Sequence, residues 1–254
     1  MRPDRRIVCI GGMHCSGTSA TTRILALLGV DMGPPEVAKP ARRTNTKGLW
    51  EHPGLTRIGE LVLRALGGTW NAPPELAPGW LATPALEPQR EAAREIVEEV
   101  FGASPLWGWK DPRNSLLVEF WRDLLGPLHH VVCVRHPEDV AASLFKRDKM
   151  PREQALGLWL RYTGDLVRAT HGHPRAFIFY EDLWTGDGAF RRLAELVGTP
   201  EAIETPEFRA AVDDWLDPAL WNNRAGVSPE GDDLSGLPPD VAALYGRLLA
   251  LRAS

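Results

Sequence analysis

Residues 7–28 read IVCIGGMHCSGTSATTRILALL, and this stretch decides the fold. Residues 7–10 are a short apolar run with β-branched side chains, which predicts a buried strand. From Thr18 to Leu28 the apolar residues favour one face of a helix, and Gly29 is a suitable residue for its C-terminal end. A strand, a glycine-rich turn and a helix in succession are typical of the first unit of a parallel α/β sheet.

The rest of the chain repeats this alternation. Two further runs, 130–134 and 176–180, predict buried strands, each followed by polar turn residues and a helical pattern. The apolar periodicity predicts additional helices over 89–101, 138–147, 152–170, 189–197 and 239–252. We therefore expect an α/β protein of the three-layer P-loop type, with a central parallel sheet and helices on both of its faces.

Length and composition favour one domain. The 254 residues are 44% hydrophobic and 24% charged, which is ordinary for a globular protein. We expect a single domain over 1–254, with a motif-bearing core at about 7–198 and a helical C-terminal part over 199–254. The proline-rich stretch 71–87 predicts a surface loop rather than a linker between domains.

Charge and cysteine content limit the expected binding partners and the expected cellular compartment. The net charge of −4 argues against broad binding to nucleic acid or to anionic membranes, which needs a basic surface. No segment approaches the roughly 20 apolar residues of a membrane helix, and the first apolar run is too short for a secretion signal. Three cysteines are an odd number, so a reduced, cytoplasmic protein without a membrane span is expected; the oligomeric state is not predicted.

The turn at residues 12–19, GMHCSGTS, has the G-x-x-x-x-G spacing of a phosphate-binding loop. Glycines at such a turn let successive N–H groups point at one anion, and the helix N-terminus adds about half a positive charge. Enzymes that use ATP or GTP carry Lys directly after the second glycine, where this chain has Thr18. We interpret the turn as an anion site that does not use the usual triphosphate chemistry; a plain strand-to-helix connection is the alternative.

Four further motifs accompany this loop. They are KGLWE at 47–51, WGWKDPR at 107–113, VRHPEDVAASL at 134–144 and FYEDL at 179–183. With the loop, they make the chain resemble the sulfotransferases that use 3′-phosphoadenosine 5′-phosphosulfate (PAPS), especially the bacterial and carbohydrate-type branch. The loop of that branch commonly reads Gly-Met-His-Arg-Ser-Gly-Thr-Ser. The resemblance spans about residues 7–198.

The resemblance implies how the donor PAPS is held. It implies that the loop cradles the 5′-phosphosulfate, through Cys15, Ser16, Gly17, Thr18 and Ser19. It also implies that Arg135 and Ser143 hold the 3′-phosphate and that Tyr180 lies near the adenine.

Arg135 and Ser143 have a physical interpretation of their own. Arg135 ends a predicted strand and Ser143 lies in the next helix, so their donors can converge on one anion. The alternatives are an ion pair of Arg135 with Glu138 or Asp139, and a bond from Ser143 to its own helix backbone.

One position departs from the family. Cys15 occupies the place where the loop usually has Lys or Arg, and a thiol cannot neutralise a developing oxyanion. His14, beside Cys15, and Lys110 are the candidate substitute cations. The alternatives are a neutral His14 packed beside the loop and a Lys110 paired with a carboxylate.

The resemblance also indicates an acceptor side. Glu51 lies at the family's Lys-Gly-aromatic-Glu position and is the predicted base, with His52 as a second choice. An ordinary helix N-terminal Glu is the alternative. Trp50 or Trp80 could present a flat face to a sugar or aromatic acceptor, although most of the ten tryptophans are expected in the core.

The predicted function is transfer of a sulfuryl group from PAPS to a hydroxyl or amine of a carbohydrate or small-molecule acceptor. No metal is expected, because no Cys/His cluster has metal-ligand spacing. Two alternatives stay open: a P-loop kinase or nucleotide hydrolase, and a noncatalytic PAPS-binding protein that lost transfer with the loop cation. The acceptor is not readable, since its pocket is expected in segments 71–87 and 204–239.

Overall fold

The computed structural model describes residues 5–34, 50–185, 188–216, 227–228 and 231–252. Its main sheet has four strands, which are β1 (Arg6–Gly12), β2 (Leu106–Lys110), β3 (His129–Val134) and β4 (Arg175–Phe179). They lie in the order β2-β1-β3-β4, and every neighbouring pair is parallel. All four carboxyl ends therefore meet at one edge of the sheet, where α/β proteins bind their ligands.

Both faces of the sheet are buried. In β1, Val8 and Ile10 pack into one hydrophobic cluster while Ile7 and Cys9 pack into another, as the alternation of a strand requires. This is why the strands are continuous apolar runs in the sequence. The predicted three-layer α/β architecture is thus confirmed.

Helices form the two outer layers. One layer packs against Val8 and Ile10 and contains α1 (Thr18–Leu27), the short α7 (Asp182–Thr185), α8 (Gly188–Val197) and α9 (Pro206–Trp215). The other layer packs against Ile7 and Cys9 and contains α2 (Pro53–Ala65), α3 (Glu87–Phe101), α4 (Asn114–Leu125), α5 (Pro137–Asp148), α6 (Arg152–Ala169) and α10 (Pro239–Arg252). A two-residue hairpin, β5 (Val227–Ser228) with β6 (Gly231–Asp232), completes the described elements.

The predicted strands and helices are confirmed, with ends that differ by no more than two residues. Strand β2, the short helix α7 and the helices α2, α4 and α9 were not among the predicted ranges. Two of them carry start signals that sequence analysis could have used, because a proline follows the capping residue of α2, His52, and that of α9, Thr205. Helix α4 has no capping side chain and is kinked at Leu117, so its sequence gives no such signal.

The proline-rich stretch 71–87 contains two short 3₁₀ helices, Trp80–Ala82 and Pro84–Leu86, before α3 begins. Trp80 is only 9% exposed and Leu86 is fully buried, so parts of this loop belong to the core. Trp80 thus belongs to the core, as expected for most of the tryptophans, and not to an exposed face for an acceptor. Among the described helices, none is long and apolar enough to cross a membrane.

Candidate functional site

The glycine-rich loop connects β1 to α1 at the carboxyl edge of the sheet. Gly12 has φ +149° and a Cβ there would lie 2.6 Å from the carbonyl oxygen of Cys133. Gly17 has φ +81° and a Cβ there would lie 2.4 Å from Cδ2 of Tyr180. Both positions therefore require glycine, one to approach β3 and the other to accept the tyrosine ring. Cys15 also has a positive φ, of 69°, without being glycine.

The loop has the features of an anion site. No side chain caps α1 at Gly17, so the N–H groups of its first turn are not satisfied by a cap. The hydroxyl of Ser16 is buried and has no hydrogen-bond partner within the described part of the chain. A buried hydroxyl without a partner is costly, and a bound anion would satisfy it. The predicted loop residues 15–19 thus form one continuous turn that ends in the helix.

Two residues that sequence analysis missed hold the loop in place. Ser115 Oγ accepts a hydrogen bond from Gly12 N at 2.8 Å, and Asn114 Nδ2 donates to the carbonyl of Ile10 at 3.0 Å. Asn114 Oδ1 also accepts from Trp109 Nε1 at 3.1 Å. Asn114 and Ser115 begin α4, so this helix anchors the end of β1. They directly follow the WGWKDPR motif, and that adjacency was the only signal.

Glu51 and Lys110 form a buried ion pair. Lys110 Nζ lies 2.9 Å from Glu51 Oε1, and the residues are 2% and 8% exposed. Lys110 ends β2, and Glu51 directly precedes His52, the capping residue of α2. The predicted base and one predicted cation are therefore partners. Residues 47–49 of the motif that suggested Glu51 lie outside the described residues.

Neighbours of Glu51 have other roles. His52 Nδ1 accepts from Leu55 N at 3.4 Å and caps α2, and burial lowers the pKa of its ring. Trp50 has φ 54°, and its ring lies 5.8 Å from that of Trp215. The guanidinium of Arg23 lies 5.3 Å from the Trp50 ring centroid and 5.6 Å from the Trp215 ring centroid. Trp50 is thus a packing partner of α1 and α9.

A second carboxylate lies beside this pair. Burial raises the pKa of Asp111 and the nearby Glu51 acts in the same direction, whereas Arg113 opposes both effects. Asp111 Oδ1 accepts from the backbone N and from Nη1 of Arg113, each at 2.9 Å. Its Oδ2 has no partner among the described residues and would lie 3.5 Å from a Cβ at Gly59. The Asp111 carboxyl therefore orients Arg113.

Arg135 follows β3 and contacts the loop directly. Its Nη1 donates to the carbonyl oxygen of Cys15 at 3.1 Å, and its guanidinium lies 4.2 Å from the ring centroid of Tyr180. Its Nε is 3.9 Å from Asp139 Oδ2, at the outer limit of an ion pair. Arg135 is 5% exposed, and its carbonyl accepts from Trp159 Nε1 at 3.0 Å. The structure thus joins Arg135, Tyr180 and the loop into one cluster.

Ser143 lies one and a half turns into α5. Its Oγ donates to the carbonyl of Asp139 at 2.8 Å, which is the backbone bond considered from the sequence. The hydroxyl carries a single hydrogen, so donating to a phosphate requires it to rotate away from this carbonyl. Ser143 lies on the helix that starts beside Arg135.

His14 packs against aromatic rings. Its ring centroid lies 4.6 Å from that of Trp70 and 6.0 Å from that of Tyr162. Tyr162 Oη donates to the carbonyl of Trp70 at 2.7 Å, which fixes the two aromatic residues together. His14, Trp70 and Tyr162 therefore form an aromatic cluster at the loop.

Charged side chains of both signs act on Cys15. Burial raises the pKa of its thiol and the charge of Asp148 acts in the same direction, whereas the charges of Arg147, Arg135 and Lys110 act against this rise. Arg147 lies in the last turn of α5, and its guanidinium is 5.4 Å from the ring centroid of Trp70. Sequence analysis did not select Arg147, because nothing in its local pattern connects it with the loop.

The described architecture is an α/β fold in which a parallel sheet carries a glycine-rich loop after its first strand. The chain is similar to the crystal structure of sulfotransferase STF9 from Mycobacterium avium. The match covers 98% of this chain and 77% of that chain, with a TM-score of 0.56 and 15% sequence identity. No protein-family model matches the sequence, and no curated protein matches it. The likeness shows that the two proteins share a fold.

Proposed function

We propose that this protein is a sulfotransferase that uses PAPS as donor and a hydroxyl or amine of a carbohydrate or small molecule as acceptor. The observation that carries the proposal is the buried, unpartnered hydroxyl of Ser16 in a glycine loop that leads into an uncapped helix. The shared fold with a sulfotransferase and the family motifs of the sequence support the same conclusion. The absence of a lysine at Thr18 argues against a kinase or nucleotide hydrolase.

The residues present fit the phosphosulfate end of PAPS. Ser16 would donate its hydroxyl, and the N–H groups at Gly17, Thr18 and Ser19 would bind the anion at the positive end of α1. Gly12 and Gly17 keep the cradle open, since a Cβ at either would meet β3 or Tyr180. When bound, PAPS supplies the sulfuryl group, and the 5′-phosphate oxygen keeps the electron pair of the broken S–O bond.

Arg135, Ser143 and Tyr180 would hold the nucleotide. Arg135 contacts the loop at Cys15 and stacks on Tyr180, so a donor bound in the loop would extend toward these side chains. A guanidinium recognises phosphate through a planar pair of donors, and a hydroxyl adds a third. We assign Arg135 and Ser143 to the 3′-phosphate and Tyr180 to the adenosine, as the family resemblance implies.

Glu51 would remove the proton of the acceptor. Lys110 holds the Glu51 carboxylate at 2.9 Å and keeps it oriented within a buried pocket. A positioned base contributes about 10²–10⁴-fold to the rate of such a transfer. Lys110 is a positioning residue in this proposal, because its ammonium is paired with the Glu51 carboxylate.

Isothermal titration calorimetry tests donor binding. We expect 3′-phosphoadenosine 5′-phosphate (PAP) to bind more tightly than ATP, and Ser16→Ala to weaken PAP binding by about 10-fold, the equivalent of one hydrogen bond to a charged group. Thr56→Val is the matched control, since it also removes a buried hydroxyl without a partner, on α2 rather than in the loop. A preference for ATP, or no binding of either nucleotide, would overturn the proposal.

Transfer itself is tested with sulfur-labelled PAPS and a panel of hydroxyl and amine acceptors. Labelled product supports an active enzyme. A protein that binds PAP but neither labels an acceptor nor releases sulfate to water would be the noncatalytic binding protein.

A further inference from the structure

The loop at residues 13–19 contains no lysine or arginine. Its central side chain is the thiol of Cys15, whose raised pKa keeps it neutral. Release of the 5′-phosphate in a sulfuryl transfer adds negative charge to a phosphate oxygen, and a nearby cation stabilises that charge. If the proposed function is correct, a cation from outside the loop is needed.

We propose that Arg147 supplies this charge from the last turn of α5. Its guanidinium packs over Trp70, and Trp70 packs against His14, the residue that precedes Cys15. Arg147 is thus connected to the loop residue His14 through the ring of Trp70. This inference rests on the proposed function and adds one residue to it.

The electrostatic effects agree with this position. Arg147 is the charge that most strongly opposes the rise in the pKa of the Cys15 thiol, ahead of Arg135 and Lys110. Burial lowers the pKa of Arg147, but its hydrogen bond to Asp148 and the charges around it, Glu51 among them, together outweigh this effect. These effects agree with a position of Arg147 near the loop.

The other two cations near Cys15 are committed elsewhere. Lys110 is buried against the carboxylate of Glu51 at 2.9 Å, and moving it would leave that carboxylate without its cation. Arg135 is 5% exposed and bonded to the carbonyl of Cys15 beside Tyr180.

Arg147 is held less firmly. It pairs with its sequence neighbour Asp148 at 2.6 Å, and the two side chains are 27% and 32% exposed. A partly exposed pair of this kind contributes little and is easily exchanged for a phosphate. The guanidinium also has the planar donor geometry that phosphate oxygens accept.

The charge can then be followed through the reaction. The acceptor oxygen forms a bond to sulfur, the bond from sulfur to the 5′-phosphate oxygen breaks, and its electron pair stays on that oxygen. Arg147 donates hydrogen bonds to this phosphate, and Glu51 receives the proton of the acceptor. No further reactant is required.

The test compares Arg147→Ala with Lys146→Ala, which removes the same charge from an exposed neighbour on the same helix turn. We expect Arg147→Ala to weaken PAP binding about 10-fold. The rate at which PAPS is converted to PAP should fall about 100-fold, a loss in the range of one removed transition-state donor. Lys146→Ala should stay within about twofold of the unsubstituted protein, because an exposed charge is screened by solvent. Thermal unfolding of both variants checks that they fold.

A second variant moves the positive charge into the loop. Cys15→Arg combined with Arg147→Ala should turn over at least about tenfold faster than Arg147→Ala alone, since a cation again lies in the loop. Unchanged PAP binding and turnover in Arg147→Ala, with a wild-type protein that binds PAP, would overturn this inference alone. A wild-type protein that does not bind PAP would overturn the proposed function and this inference with it.

Discussion

The ammonium of Lys110 lies 2.9 Å from the carboxylate of Glu51, and both side chains are buried. The two residues are 59 positions apart in the chain, and Glu51 comes before α3 in the sequence whereas Lys110 comes after it. Taking both charges out of water is favourable only while they stay together, because each would otherwise be an uncompensated charge. The pair therefore connects the segment just before α2 to the carboxyl end of β2.

Breaking this pair should destabilise the fold. Lys110→Met leaves the Glu51 carboxylate buried without its cation, and we expect the free energy of unfolding to fall by about 3–5 kcal/mol. The double variant Lys110→Met with Glu51→Leu should recover most of the loss. Urea unfolding followed by circular dichroism measures both. Arg152→Ala is the control, since it breaks a pair with Glu138 at the surface and should cost less than about 1 kcal/mol. Equal losses for Lys110→Met and Arg152→Ala would contradict the prediction.

Glu51→Gln tests the role of the carboxylate in chemistry. The amide keeps an oxygen that can accept from Lys110 but cannot take a proton, so turnover should fall by at least about 100-fold. Binding of PAP should stay within about twofold, because Glu51 is assigned to the acceptor side. Single-turnover assays with labelled PAPS give the rate and calorimetry gives the affinity. Glu95→Gln, at an exposed position of α3, is the matched control. Wild-type turnover in Glu51→Gln would remove Glu51 from the mechanism.

His130 should make the fold sensitive to acid. It is fully buried, neither ring nitrogen has a partner among the described residues, and burial together with His173 and Arg122 lowers its pKa to about 3. In the unfolded chain the His130 ring takes up a proton near pH 6.5, whereas in the folded protein it stays neutral down to about pH 3. Stability is therefore full above about pH 6.5 and falls as the pH drops toward 3.

His130→Leu removes this proton uptake. Between pH 6.5 and 5, the unfolding free energy of the variant should fall less steeply than that of the wild type, by about 1.4 kcal/mol per pH unit. Urea unfolding at a series of pH values measures the slope. The exposed His171→Leu should leave the slope unchanged. If His130→Leu and the wild type lose stability in parallel, the buried imidazole is not the acid-sensitive group.

Gly17→Ala should damage the loop more than its backbone angle alone explains. Its φ of +81° costs an alanine about 1 kcal/mol or more, and its Cβ would lie 2.4 Å from the ring of Tyr180. Gly29→Ala has φ +90° with nothing within 4 Å and carries only the backbone cost. We expect Gly17→Ala to be about 1–3 kcal/mol less stable than Gly29→Ala in thermal unfolding. Equal stabilities would mean that Tyr180 moves freely away from the loop.

The parts of the site that were predictable are those encoded by neighbouring residues. The loop from Gly12 to Ser19 follows from glycine spacing between an apolar run and a helix pattern, and the structure has that turn in the expected place. Arg135 at the end of β3 could be located for the same reason. Ser115 could not, because its bond to Gly12 joins residues 103 positions apart.

The sequence by itself determined the α/β class, the strands at 7–10, 130–134 and 176–180, and the glycine loop, since apolar periodicity and turn residues act within a few positions. The tertiary structure alone decided that Lys110 faces Glu51, that Arg135 bonds the loop carbonyl, and that Arg147 packs over Trp70, which contacts His14. The physical reason is the strand order β2-β1-β3-β4. Local periodicity does not specify that order, yet it decides which distant charges meet at the carboxyl edge of the sheet.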